Sequence, residues 1–120
     1  MKKLKENIEY TLKFGAVNTV MEATDTIVES KYDDLITDIP EIKNMYHGQS
    51  PQSFKILELI DTCNSLTNEE KEILTDAAKI YILKNKPVKL IKGELYNIKI
   101  TTQYDFELAN YILENVVNKN

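Results

Sequence analysis

GELYNIKITTQYDFELANYIL, residues 93 to 113, changes its repeat halfway along. Up to Thr101, Ile98 and Ile100 alternate with Asn97, Lys99 and Thr101, the two-residue repeat of a strand. Thr102 and Asp105 then form a T-x-x-D capping box, in which the hydroxyl accepts one amide hydrogen bond and the carboxylate accepts another, opening a last helix through Val117. A strand that turns straight into a helix points to an α/β chain. It also places the ammonium of Lys99 between two isoleucines just before the turn.

Working outward, VKLIKG (88–93) reads as another strand, and Pro87 ends the element before it. NEEKEILTDAAKIYILKN (68–85) is helical, with acidic residues in its opening turn and lysines near its end, matching the helix dipole. Thr75-Asp76 in its middle could restart a helix, so one helix or two stays open. Ser50 before Pro51 reads as an N-cap with proline at the first helical position, and Phe54, Leu57, Ile60 and Cys63 follow at helical spacing. At the amino end a helix over 2–14, with Leu4, Ile8 and Leu12 on one face, stops at Gly15, and AVNTVM (16–21) is a short apolar strand. TIVES (26–30) and LITDI (35–39) flank a polar turn at 31–34 and suggest a hairpin arm over about residues 24–40. Helix and strand alternate with no repeat and no low-complexity linker, so one α/β domain over residues 1–120 is expected.

The bulk numbers exclude several functions. The formal charge is −4 and all 15 basic side chains are lysine, so a basic groove for nucleic acid is not expected. No export signal and no apolar run of membrane-spanning length is visible, and a lone Cys63 among Leu59, Ile60 and Leu66 suits a cytoplasmic protein without disulfides. Gly15, Gly48 and Gly93 are scattered and form no phosphate-binding loop. His47 is the sole histidine and reads as a turn residue, and no metal-ligand spacing surrounds it. Asp33, Asp34, Glu69 and Glu70 are explained by turn solvation and the helix dipole. Tyr46, Tyr96, Tyr104 and Tyr111 read as core and rim rather than a stacking platform.

Lys99 remains. On a strand it would share a face with Asn97 and Thr101 at the carboxyl end of the sheet, where open α/β sheets bind ligands, and all three side chains can bond a phosphate. The same pattern also describes a lysine on an exposed strand face. Spacing does not choose between them.

Four stretches, GAVNTVMEATDTIVES, MYHGQSPQSF, LTDAAKIYIL and PVKLIKGELYNIKITTQYDFELANYIL, resemble in order the carboxyl-terminal half of the polyol-phosphate cytidylyltransferases. That family includes the 2-C-methyl-D-erythritol 4-phosphate enzymes of isoprenoid synthesis and the ribitol-5-phosphate enzymes of teichoic-acid or capsule synthesis. LTDAAKI and TTQYDFELAN look like the ribitol branch. The resemblance implies a Rossmann-like nucleotidyltransferase sheet with a hairpin dimerisation arm. It implies that CTP and ribitol 5-phosphate react by attack on the α-phosphorus to give a CDP-polyol and pyrophosphate, with Mg2+ in the complete enzyme. Lys99 matches the lysine that positions the acceptor phosphate, and Thr26, with Asp25 beside it, matches the arm residue that reaches a neighbouring subunit's site, which implies a homodimer.

Three departures qualify what the resemblance implies. Where the family has a phosphate-positioning arginine this chain has Ile42, with Lys43 beside it, and a point charge is not a bidentate fork. Gln103 stands where proline usually follows T-T, which glutamine tolerates at a first helical position. The family's glycine-rich CTP loop and D-A-x-R-P metal motif have no counterpart, so the chain is expected to bind no Mg2+ by itself, to be inactive alone, and to need a missing amino-terminal half. A non-catalytic interaction module of the same fold is the competing expectation.

Overall fold

Helix α1 (Lys2–Phe14) ends at Gly15, whose φ of +93° is the left-handed geometry that glycine adopts without a Cβ penalty. The chain then enters β1 (Ala16–Glu22). The computed structural model describes residues 2–32 and 34–117. β1 pairs antiparallel with β2 (Tyr46–Phe54) and parallel with β3 (Lys89–Lys92), giving the strand order β2-β1-β3. The parallel step is made through α2 (Ile56–Asn64), α3 (Asn68–Glu72) and α4 (Ala77–Leu83). A last helix, α5 (Gln103–Ile112), runs on into a π turn at Leu113–Val117. The fold is α/β, as the alternation of elements implies.

β1 is buried on both faces. On one, Ala16 packs with Ile80 and Tyr81 of α4, and Phe54, Leu59, Cys63, Leu66, Leu74 and Val88 close around them. On the other, Thr19 meets α1 through a polar network rather than an oily one. Asn7 donates to Thr19 Oγ1 at 3.2 Å, Ser53 Oγ donates to Asn7 Oδ1 at 2.9 Å, and Thr19 Oγ1 donates to the Pro51 carbonyl at 2.8 Å. Such a buried network holds only because its members satisfy each other.

β2 corrects the sequence reading most. MYHGQSPQSF does not end in an N-cap followed by a helix: Pro51 lies inside β2, and the helix begins five residues later at Ile56. Proline fits there because β2 is an edge strand, where a missing N–H costs no ladder bond. His47 is correspondingly an exposed strand residue opposite Met21. The open question over 68–85 resolves as two helices. Thr67 and Glu70 form a capping box on α3, and Asp76 Oδ1 accepts from Lys79 N at the start of α4. Gln52 of β2 reinforces this second start, accepting from Ala78 N at 3.1 Å and donating to Asp76 Oδ2 at 3.1 Å.

The arm over 24–40 is a loose hairpin held by isolated bridges, Glu29 to Asp38 and Tyr32 to Leu35, with no continuous strand pair; Asp33 lies outside the described residues. The expected strand YNIKIT is absent too, since 97–101 is irregular. Tyr46, Tyr96, Tyr104 and Tyr111 are all exposed, and the buried tyrosine is Tyr81. Among the described residues no helix is long and apolar enough to cross a membrane.

Candidate functional site

Because β1 and β3 run parallel, the arm leaves β1 and the Lys99 loop leaves β3 from the same carboxyl edge of the sheet. That edge is where ligands gather on parallel sheets. Gly93 N donates to the Val20 carbonyl at 2.7 Å, which carries the β1–β3 pairing one residue beyond β3. Beyond it the chain has no helix or strand until Gln103, so hydrogen bonds to other segments fix its path.

Two clamps do this. On the upstream side Gln49 of β2 donates through Nε2 to the carbonyls of Glu94, at 2.9 Å, and Asn97, at 3.1 Å, and Asn97 Nδ2 donates back to the Ser50 carbonyl at 2.7 Å. On the downstream side Asp105 Oδ2 accepts from Thr101 N at 3.1 Å, Thr101 Oγ1 at 2.9 Å and Thr102 N at 3.0 Å, while Asp105 N donates to Thr102 Oγ1. These bonds, the Thr101 hydroxyl first, hold the Asp105 carboxyl below its ordinary pKa because they favour its charged form. The capping box read from T-x-x-D is therefore present and takes in Thr101 as well.

Lys99 lies between the clamps, exposed, and among the described residues it has no carboxylate partner. The strand-face trio does not form. Asn97 is turned onto Ser50 and Thr101 onto Asp105, which leaves Lys99 alone of the three for a ligand.

Asp25 and Thr26 lie just beyond β1, exposed, with Asp25 at a bend. Lys43 belongs to a short 3-10 turn, Ile42–Asn44, and pairs with Glu41 at 3.2 Å on an exposed surface, where an ion pair contributes little. The β1–β2 ladder gathers these segments, since Ala23 N donates to the Met45 carbonyl at 3.0 Å and Glu22, Ala23, Ile42 and Lys43 line one pocket. No hydrogen bond or ion pair joins Lys99 to Asp25, Thr26 or Lys43 among the described residues. The segments thus share an edge without such a bond between them among the described residues. A shallow cleft at that edge is lined by Val20, Glu22, Tyr46, Leu90 and Lys92. Lys92, the last residue of β3, gave no signal in the sequence beyond being a charged strand end.

Among the described residues no three His, Cys, Asp or Glu side chains come together to hold a metal ion.

Residues 1–115 match the family described as 2-C-methyl-D-erythritol 4-phosphate cytidylyltransferase. Among solved structures, the chain is similar to the 4-diphosphocytidyl-2C-methyl-D-erythritol synthase of Anaerococcus prevotii, with 27% identity and a TM-score of 0.78 over 93% of this chain and 52% of that one. It also shares the fold of the 2-C-methyl-D-erythritol 4-phosphate cytidylyltransferase of Francisella tularensis, with 22% identity and a TM-score of 0.80 over 92% of this chain and 52% of that one. The corresponding protein of Thermus thermophilus gives 22% identity and a TM-score of 0.74 over 92% and 54%. The chain spans about half the length of the solved relatives it matches.

Proposed function

The chain belongs to the 2-C-methyl-D-erythritol 4-phosphate cytidylyltransferase family, and from that premise we propose that its 120 residues form the acceptor side of a cytidylyltransferase. In the reaction an oxygen of the acceptor's phosphate attacks the α-phosphorus of CTP. A P–O bond forms, the bond to pyrophosphate breaks, and a CDP-polyol results. Lys99 holds and orients the acceptor phosphate. Thr26 and Asp25, carried on the arm, serve the acceptor site of a second copy in a homodimer, and Lys43 stands in for the arginine replaced by Ile42. The observation that carries the reading is a lysine with no carboxylate partner among the described residues, held between two hydrogen-bonded clamps at the carboxyl edge of a parallel strand pair, in a chain of this family.

The acceptor best supported is 2-C-methyl-D-erythritol 4-phosphate, after which the matched family is described. Ribitol 5-phosphate is the second candidate, favoured by LTDAAKI and TTQYDFELAN. The sequence holds no glycine-rich phosphate loop, so CTP must be held by residues outside these 120 and the chain is inactive alone. A non-catalytic interaction module is the other reading, and Ile42 favours it.

Calorimetric titration of the purified chain with each polyol phosphate tests this. A charge-assisted bond contributes about 1.5–3 kcal/mol, so Lys99→Ala should weaken binding by roughly 10- to 150-fold. No pyrophosphate should appear with CTP present. Equal binding by wild type and Lys99→Ala, or none by either, overturns the acceptor reading in favour of the module, and turnover at an ordinary enzymatic rate overturns the claim of inactivity.

A further inference from the structure

We propose that Gln49 and Asn97 are positioning residues for Lys99, locking residues 94–97 onto β2 and thereby setting where the ammonium meets the anionic group of its ligand. The inference rests on the acceptor reading of Lys99 given above.

A lysine on an irregular segment gains little from a ligand if binding must first order the segment, because fixing one residue's backbone costs about 1–2 kcal/mol. Preorganisation removes that cost. Here the Gln49 carboxamide forks to two carbonyls, those of Glu94 and Asn97, which are also the two ends of one turn, since Asn97 N donates to the Glu94 carbonyl at 3.1 Å. Asn97 closes the loop of contacts by donating to Ser50, the residue after Gln49. With Thr101 and Thr102 held by Asp105, Lys99 stands two residues from a clamped position on either side.

Gln49 has no donor to spare, since both of its N–H groups are used, and Asn97 commits one of its two. Both Gln49 bonds and the Asn97 bond go to backbone carbonyls, so a ligand could take them only by releasing the loop. They act through Lys99. β2 also pairs with β1 down to Glu22 and Tyr46, so the clasp references Lys99 to the strand ladder from which the arm departs.

The test uses Gln49→Met, which keeps length and removes the donor without adding charge, Asn97→Ala, and each combined with Lys99→Ala. Binding of 2-C-methyl-D-erythritol 4-phosphate and ribitol 5-phosphate is titrated by NMR, and amide hydrogen exchange is followed across the chain. Each single variant should bind about tenfold more weakly, with faster exchange confined to 94–100 and β1 amides protected as in wild type. Each double variant should bind no more weakly than Lys99→Ala alone, because the clasp acts only through that lysine. Wild-type affinity in both single variants, unchanged exchange over 94–100, or additive losses in the double variants each overturn the inference. If Lys99→Ala itself binds as wild type does, the acceptor reading falls and the inference with it. Should Gln49→Met lose β1 protection, Asn97→Ala, which leaves every β2 side chain intact, decides.

Discussion

A methyl group on Gly93 would run into Gln49 Oε1 and lie 2.9 Å from Thr19 Cγ2, so the glycine is required by crowding rather than by its backbone angles. Gly93→Ala is expected to push Gln49 off the Glu94 and Asn97 carbonyls and to cost about 1–3 kcal/mol, the range for overpacking a filled site. Urea unfolding measures it, and an unchanged midpoint would show that Gln49 moves aside without loss. Lys99 and Gln49 differ in how far the sequence betrays them. An ammonium flanked by isoleucines stands out from its neighbours, whereas a glutamine in a run of small and polar residues does not. What matters about Gln49 is which carbonyls lie across from it, and those are 45 and 48 residues away.

At the scale of elements, α5 depends on its cap, since none of its residues is buried and a ten-residue helix is marginal in water by itself. Its apolar side shares a groove with the loop before it, lined by Leu95, Tyr96, Ile98, Leu108, Tyr111 and Ile112. Thr102→Ala should cost about 1 kcal/mol and raise amide exchange in α5 roughly fivefold. The cap also titrates. Asp105 has a folded pKa below its unfolded one, so its contribution is present above the unfolded carboxylate value of about 3.9 and is lost as pH falls through the lower folded value. Acid titration followed by NMR should show α5 loosening in that window, and Asp105→Asn should abolish this step; the same acid response in the variant would place its origin elsewhere. α5 was legible because its signals are local, a threonine and a carboxylate at fixed spacing, Thr102 and Asp105. β2 was not, because Ser-Pro followed by Phe54, Leu57 and Ile60 satisfies a helix pattern, and only pairing with β1 makes 46–54 extended.

The whole molecule is more open than its length requires. Its Cα radius of gyration is 16.9 Å, against about 14 Å for a compact chain of this size. Leu12, Ile56, Leu57 and Leu95 are each at least 70% exposed, a level that an isolated domain seldom shows at so many large apolar side chains. Light scattering should therefore find at least twice the chain mass, and a monodisperse monomer would contradict the expectation of association. β3 carries lysines at both ends and β2 a proline, devices that blunt edges against uncontrolled pairing. By itself the sequence determined the α/β class, the capped start of the last helix and the resemblance to a family, because periodicity, that cap and motif wording are written in neighbouring residues. The tertiary structure alone decided that GQSPQS is a strand whose side chains reach α1, α4 and the Lys99 loop, and that Asn97 and Thr101 hold backbone instead of ligand. Those outcomes depend on hydrogen bonds that close only when distant segments are brought together, and no local pattern encodes such partners.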